Sequence, residues 1–143
     1  MVHAQQQPGK SLPHPRVVEL DANGKKELRI LGGPPDSYEM RSGLVVLPPG
    51  DSIGQHSTRM NEEVLVVLEG SGEMVFGDGS KLPVRANSAV YCPPHAIHNV
   101  VNTGRDVLRY VYVVSRAEWP ATTGEFHSGR KQNKLGSFER LGR

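Results

Sequence analysis

Three residues of this 143-residue chain combine a metal-ligating side chain with surroundings that could bring them to one ion: His56, Glu63 and His98. An imidazole nitrogen and a carboxylate oxygen both suit first-row divalent metals, and two histidines with one carboxylate make the facial triad of mononuclear iron sites. Each residue alone carries little. A lone histidine in a β protein is more often a surface or hydrogen-bonded core residue, and a glutamate at a strand start is usually solvated. Their surroundings join them. His56 ends a segment after PPGDSIGQ, Glu63 opens EVLVVLEG after a short turn, and His98 follows the turn PPHA. A hairpin would set His56 and Glu63 side by side across two antiparallel strands, and the later strand would bring His98 beside them.

The elements that must position these residues read as strands. From Arg16 onward, short apolar segments are cut by turn signals: RVVEL (16–20), ELRIL, SYEMRSGLVVL, SIGQHST, EVLVVLEG (63–70), SGEMVF, KLPVR, ANSAVYC, IHNVVN and VLRYVYVVS (107–115). That spacing predicts nine or ten strands in an all-β sandwich or barrel. No stretch sustains a 3.6-residue period, so helix is confined at most to RAEWP and the tail. Glu63, Leu65 and Val67 share one face of their strand, while Val64, Val66 and Leu68 share the other. Both faces are apolar beyond Glu63, which predicts burial on both sides under a second sheet, the N-terminal arm or a partner subunit. The last long strand, with Val107, Arg109, Val111 and Val113 alternating against Leu108, Tyr110, Tyr112 and Val114, reads the same way and adds to the expectation of a homodimer. The expected organisation is a flexible arm over 1–15, a barrel over 16–115 and a polar basic tail over 116–143.

Two motifs carry a family resemblance. Gly50-x5-His56-x-Thr58-x4-Glu63-x6-Gly70 resembles the first cupin motif, G-x5-H-x-H-x3or4-E-x6-G, with Thr58 in place of the second histidine. Pro93-Pro94-His95-Ala96-Ile97-His98-x3-Asn102 resembles the second, G-x5-P-x-G-x2-H-x3-N, with Asn87 for the leading glycine and His95 for the inner one. The resemblance implies a double-stranded β-helix, or jelly-roll barrel. It also implies one divalent ion (iron, zinc, manganese or nickel) held by His56, Glu63 and His98. Glu63 rather than Glu62 stands seven residues before Gly70, and Glu62 has outward parity.

A neutral threonine hydroxyl competes badly with water for a metal, so Thr58 leaves three ligands and open coordination positions. The opposite reading is a barrel that has lost tight metal binding. Against it, Glu63 and His98 would be costly to keep in a metal-free apolar interior. Neutral imidazoles, an ionised Glu63 and a divalent ion would leave a charge of +1, suiting an anionic or enolisable oxygen ligand such as a 2-oxo acid, an enolate or a sugar hydroxyl pair.

Other side chains are secondary candidates. Whichever parity of the last strand faces inward could supply a proton donor from Tyr110 or Tyr112, or an anion clamp from Arg109. His95 is read as a solvent-facing turn residue, Cys92 as a buried structural thiol and Asn102 as a turn brace.

Composition narrows the classes. The chain carries 36% hydrophobic and 22% charged residues with 16 glycines and 11 prolines. A net charge of +2 is too weak to argue for nucleic acid, and no such binding motif is present. One cysteine excludes an internal disulfide and fits a reducing compartment. The first residues hold no apolar signal core and no run is long enough to span a bilayer, so the expected location is cytoplasmic. Three functions stay open: a metal-dependent dioxygenase, isomerase or lyase acting on a small oxygenated substrate, a non-catalytic barrel that binds a sugar or small acid, or a structural dimer with a vestigial pocket.

Overall fold

A computed structural model describes residues 12–117. Nine strands follow in chain order: β1 (Glu27–Gly32), β2 (Arg41–Leu47), β3 (His56–Ser57), β4 (Asn61–Glu69), β5 (Ser71–Phe76), β6 (Lys81–Arg85), β7 (Ser88–Cys92), β8 (Ile97–Val101) and β9 (Leu108–Arg116). They build two antiparallel sheets, ordered β1-β2-β9-β4-β7 and β3-β8-β5-β6. The described residues contain no helix. The all-β architecture expected from the strand pattern, and the jelly-roll barrel that the motif resemblance implies, are what is observed.

Alternation along the strands supplies the interior. Val45 and Leu47 from β2, Leu65 and Val67 from β4, Leu108 and Tyr110 from β9, and Met74, Val84 and Val100 from the facing sheet form one buried cluster. Each fully buried aliphatic side chain contributes about 1.5–3 kcal/mol relative to exposure. The β4–β5 connection turns at Gly70, where φ is +80° and a Cβ would stand 2.2 Å from the Val107 carbonyl oxygen. A side chain cannot fit there, which is why glycine closes the first motif. Asn87 (φ +64°) and His95 (φ +66°) replace the glycines of the second motif. Both still adopt the left-handed conformation, which asparagine and histidine enter more readily than most residues. The departures in sequence preserve the backbone.

Three expectations are corrected. Arg16–Leu20 forms no strand: its backbone joins neither sheet, and Val17 is 88% exposed. Bonds off the ladder hold the segment instead, with Arg16 paired to Asp36 at 3.4 Å and the Leu20 carbonyl accepting from Arg109 at 3.2 Å. The second sheet does not cover the outer face of β4, where, among the described residues, Val66 and Leu68 are 41% and 40% exposed. And β3 does not form a hairpin with β4. It pairs with β8, placing His56 directly opposite His98, because the turn from Thr58 to Asn61 carries the chain from one sheet to the other. Most of the expected arm over 1–15 and tail over 116–143, including RAEWP beyond Ala117, lies outside the described residues.

Candidate metal centre

Two sheets contribute to one centre. His56 and His98 are cross-strand partners in the four-stranded sheet, with ring centroids 4.5 Å apart and planes at 61°. Glu63 reaches them from β4 in the facing sheet, and one ligating atom from each of the three lies within 4.8 Å of the others. His98 and Glu63 are buried, while His56 sits at the open side. Strand parity decides the glutamate. Glu62 points outward and accepts a hydrogen bond from the Tyr91 hydroxyl at 3.0 Å.

Backbone carbonyls orient both imidazoles. His98 Nδ1 lies 3.0 Å from the Ala96 oxygen, and His56 Nδ1 lies 2.8 Å from the Gly54 oxygen. A carbonyl only accepts, so each Nδ1 carries a proton and each Nε2 is left to face the centre. Gly54 is fixed in turn by its N–H, which donates to Asn99 Oδ1 at 2.9 Å. His98 Nε2 meets Glu63 Oε2 at 2.9 Å. With Nδ1 already donating, a neutral ring would aim its lone pair at a carboxylate oxygen. The arrangement is favourable only with a proton shared between the two groups or a metal ion at Nε2. Consistently, the hydrogen bond that the protonated ring donates to Glu63 outweighs burial and holds the His98 pKa above the ordinary histidine value. The donor set fits a divalent ion: two oriented imidazoles, one carboxylate and a charge that needs balancing.

Thr58 lines the same cavity, but its hydroxyl donates to the Asn61 carbonyl at 2.8 Å and braces the turn. The residue standing for the second histidine of the motif is thus committed to the backbone.

The cavity measures about 430 Å³ and has apolar walls that include Val45, Ile53, Leu65, Val100 and Val114. Of the last strand, Tyr110 and Tyr112 face it. Arg109 lies on the opposite face, bonded to Glu69 at 3.3 Å and to the Leu20 carbonyl, so its candidacy as an anion clamp in this cavity is withdrawn. Burial, then nearby Glu63, raises the Tyr110 phenol above its usual range; burial and the bond to Glu27 raise that of Tyr112. Both stay protonated near neutrality.

Cys92 is fully buried on β7 opposite Glu63, with its Sγ 3.1 Å from Met74 Sδ. Burial, aided by the Glu63 charge, pushes its thiol up to about 11. His95 is an exposed turn residue. Asn102 donates to the carbonyls of Leu47 and Asp106 at 2.8 and 2.9 Å and accepts from the Gly104 N–H. Sequence reading passed over Glu27, Gly43 and Asn99. Glu27 and Gly43 gain their meaning only from the β1–β2–β9 register, and no local pattern marks them. Asn99 stands next to His98 in β8, which is a weak signal on its own.

Comparison with known proteins agrees with this geometry. The model of the Cupin domain family matches residues 43–114. The chain is 32% identical over 108 residues to a protein named polyketide synthase CurC from Streptomyces cyaneus, covering 71% of this chain and 70% of that one. It is 33% identical to an oxalate-binding protein from Thermotoga maritima, over 48% of this chain and 55% of the other. Among solved structures it resembles a cupin 2 conserved barrel domain protein from Salinispora arenicola, with a TM-score of 0.57, 28% identity, and coverage of 73% of this chain and 89% of that one. Relatives thus include proteins named for synthesis and for binding.

Proposed function

The chain belongs to the cupin domain family, and from that membership we propose that it is a metal-dependent enzyme acting on a small oxygenated, anionic or enolisable substrate, of the dioxygenase, isomerase or lyase type. His56, Glu63 and His98 hold one divalent ion, whether iron, zinc, manganese or nickel. The observation that carries this reading is the 2.9 Å approach of His98 Nε2 to Glu63 Oε2 with Nδ1 already donating to Ala96, a buried arrangement that calls for a cation. An ion bound there supplies Lewis acidity toward a substrate oxygen and, for iron, redox capacity.

The chain's own residues do the rest. Ala96 and Gly54 carbonyls keep the imidazoles in the tautomer that leaves Nε2 available. The apolar walls exclude water from the reacting groups, and the protonated Tyr110 hydroxyl, which has no hydrogen-bond partner among the described residues, is available to donate to a substrate oxygen. Val66 and Leu68 on β4 and Tyr91 on β7 present an apolar outer face that a second copy would cover, giving a homodimer.

Elemental analysis of protein purified without a histidine tag, followed by metal titration of chelator-treated protein, tests the reading. About one ion per chain, lost in His98→Ala, is expected. Protein that neither carries nor takes up any of the four metals would sink it.

A second reading is a binding protein without turnover, supported by the relative named for oxalate binding. Ligand-dependent thermal stabilisation with no product formed would select it.

A further inference from the structure

Across the cavity from the histidines, β1, β2 and β9 build a second polar feature. Glu27 opens β1 opposite Val45, and Gly43 in β2 stands opposite Tyr112 in β9. Having no side chain, Gly43 lets the Tyr112 ring lie over β2; a Cβ there would stand 2.7–2.9 Å from three atoms of that ring, hydroxyl oxygen included. The ring therefore spans the middle strand, and its hydroxyl donates to Glu27 Oε1 at 2.6 Å. Both residues line the cavity that holds His56, Glu63 and His98. Register also fixes their relation to the centre. In the β4–β9 pair Glu63 faces Val114 and Leu65 faces Tyr112, making Tyr112 the inward diagonal neighbour of Glu63, at roughly 7–8 Å between such positions.

The hydrogen-bond inventory of this pair is one-sided. The one phenolic proton of Tyr112 is given to Glu27, so the phenol oxygen offers only lone pairs. Glu27 Oε2 has no hydrogen-bond or ion-pair partner among the described residues. A carboxylate offers no proton. Apart from these two ends, the cavity is lined chiefly by apolar side chains, with the Tyr110 hydroxyl and the polar Gln55 and Thr58 also on its wall.

We infer that the Glu27–Tyr112 pair is a specificity subsite for the outer end of the ligand, selecting a hydrogen-bond donor, an ammonium or hydroxyl group, on a short molecule whose other end is an oxygen acid. This rests on the reading of His56, Glu63 and His98 as a metal centre for the acid end. A methyl group would displace water from the Tyr112 oxygen and the solvent-exposed Glu27 without offering a donor, and a carboxylate would meet Glu27 as a like charge. Arg29, on the same side of β1 and near enough to act on Tyr112 electrostatically, is the group that would favour the carboxylate instead.

Four probes on one carbon skeleton test it, with binding to metal-loaded full-length protein measured by calorimetry: 2-hydroxypentanoate, 2,5-dihydroxypentanoate, 5-amino-2-hydroxypentanoate and 2-hydroxyglutarate. The two donor-ended acids are expected to bind about tenfold more tightly than the methyl-ended one, and the dicarboxylate more weakly than any. Glu27→Gln should erase the ammonium preference and Tyr112→Phe should shrink both preferences, in variants whose melting transitions show a folded barrel. Equal affinity for methyl and donor ends, a preference for the dicarboxylate, or no binding of any probe overturns the inference. His98→Ala reports separately: if it leaves all four affinities as they are, the metal centre fails as the acid-binding end, while the ratios among the probes still judge the subsite.

Discussion

Gly43 and Tyr112 face each other across the β2–β9 ladder, and the ring of one occupies the space where a side chain on the other would be. The cavity wall therefore depends on the absence of a single methyl group.

Gly43→Ala should destabilise the protein by about 1–3 kcal/mol, the usual range for overpacking, despite the better strand propensity of alanine. The clash is with a ring that also holds Glu27, so the Tyr112–Glu27 hydrogen bond should be lost with it. Denaturant unfolding of the two proteins measures the difference. A variant as stable as the parent would show that the ring moves aside freely.

Asn99 supports the candidate metal centre without touching it. Its side-chain oxygen holds the Gly54 N–H, and the Gly54 carbonyl orients His56. Removal of such an outer partner typically weakens metal binding by about 10–100-fold. Asn99→Ala should do so in competition with a chelator while the barrel remains folded. Unaltered affinity would mean that His56 needs no support from that loop.

Under the proposed function, protons and a metal ion compete for His98. In chelator-treated protein its folded pKa is raised above the ordinary value of 6.5, chiefly by Glu63. A raised folded pKa contributes stability that is fully present below 6.5 and is lost as pH rises through the folded value. Metal-free protein should therefore melt at lower temperature as pH climbs through that window, and Glu63→Gln should flatten the trend. Metal affinity should move the opposite way, rising as His98 gives up its proton. Metal-free melting temperatures that increase over the same window would contradict this assignment of charge.

The outer apolar face gives a prediction about assembly. Val66, Leu68 and Tyr91 are 41%, 40% and 57% exposed, and Val64 is the register partner of Tyr91. Light scattering should report a dimer at micromolar concentration. Replacing Val66 and Leu68 by aspartate should yield monomers that still bind metal. A parent protein that runs as a monomer would leave that face without the expected partner.

How far the sequence carried each conclusion follows from what sequence encodes. Alternation, turn residues and two spaced motifs marked the all-β barrel. They also marked His56, Glu63 and His98, because parity within a strand is a local property: Glu63 in and Glu62 out follows from a period of two. Local pattern misled where the answer lay in pairing. RVVEL has strand-like composition, yet it pairs with neither sheet and is held by side-chain bonds through Arg16 and Arg109. His56 and Glu63 lie close in sequence, yet they come from different sheets.

By itself, then, the chain determined its fold class, its candidate ligands and the two motifs that frame them. Tertiary structure alone decided which strand faces which. That choice turned Tyr112 inward and Arg109 outward, set His56 against His98, and gave Glu27 a partner across Gly43. The physical reason is that inter-strand register is fixed by the summed burial of whole strands, a quantity no short segment contains.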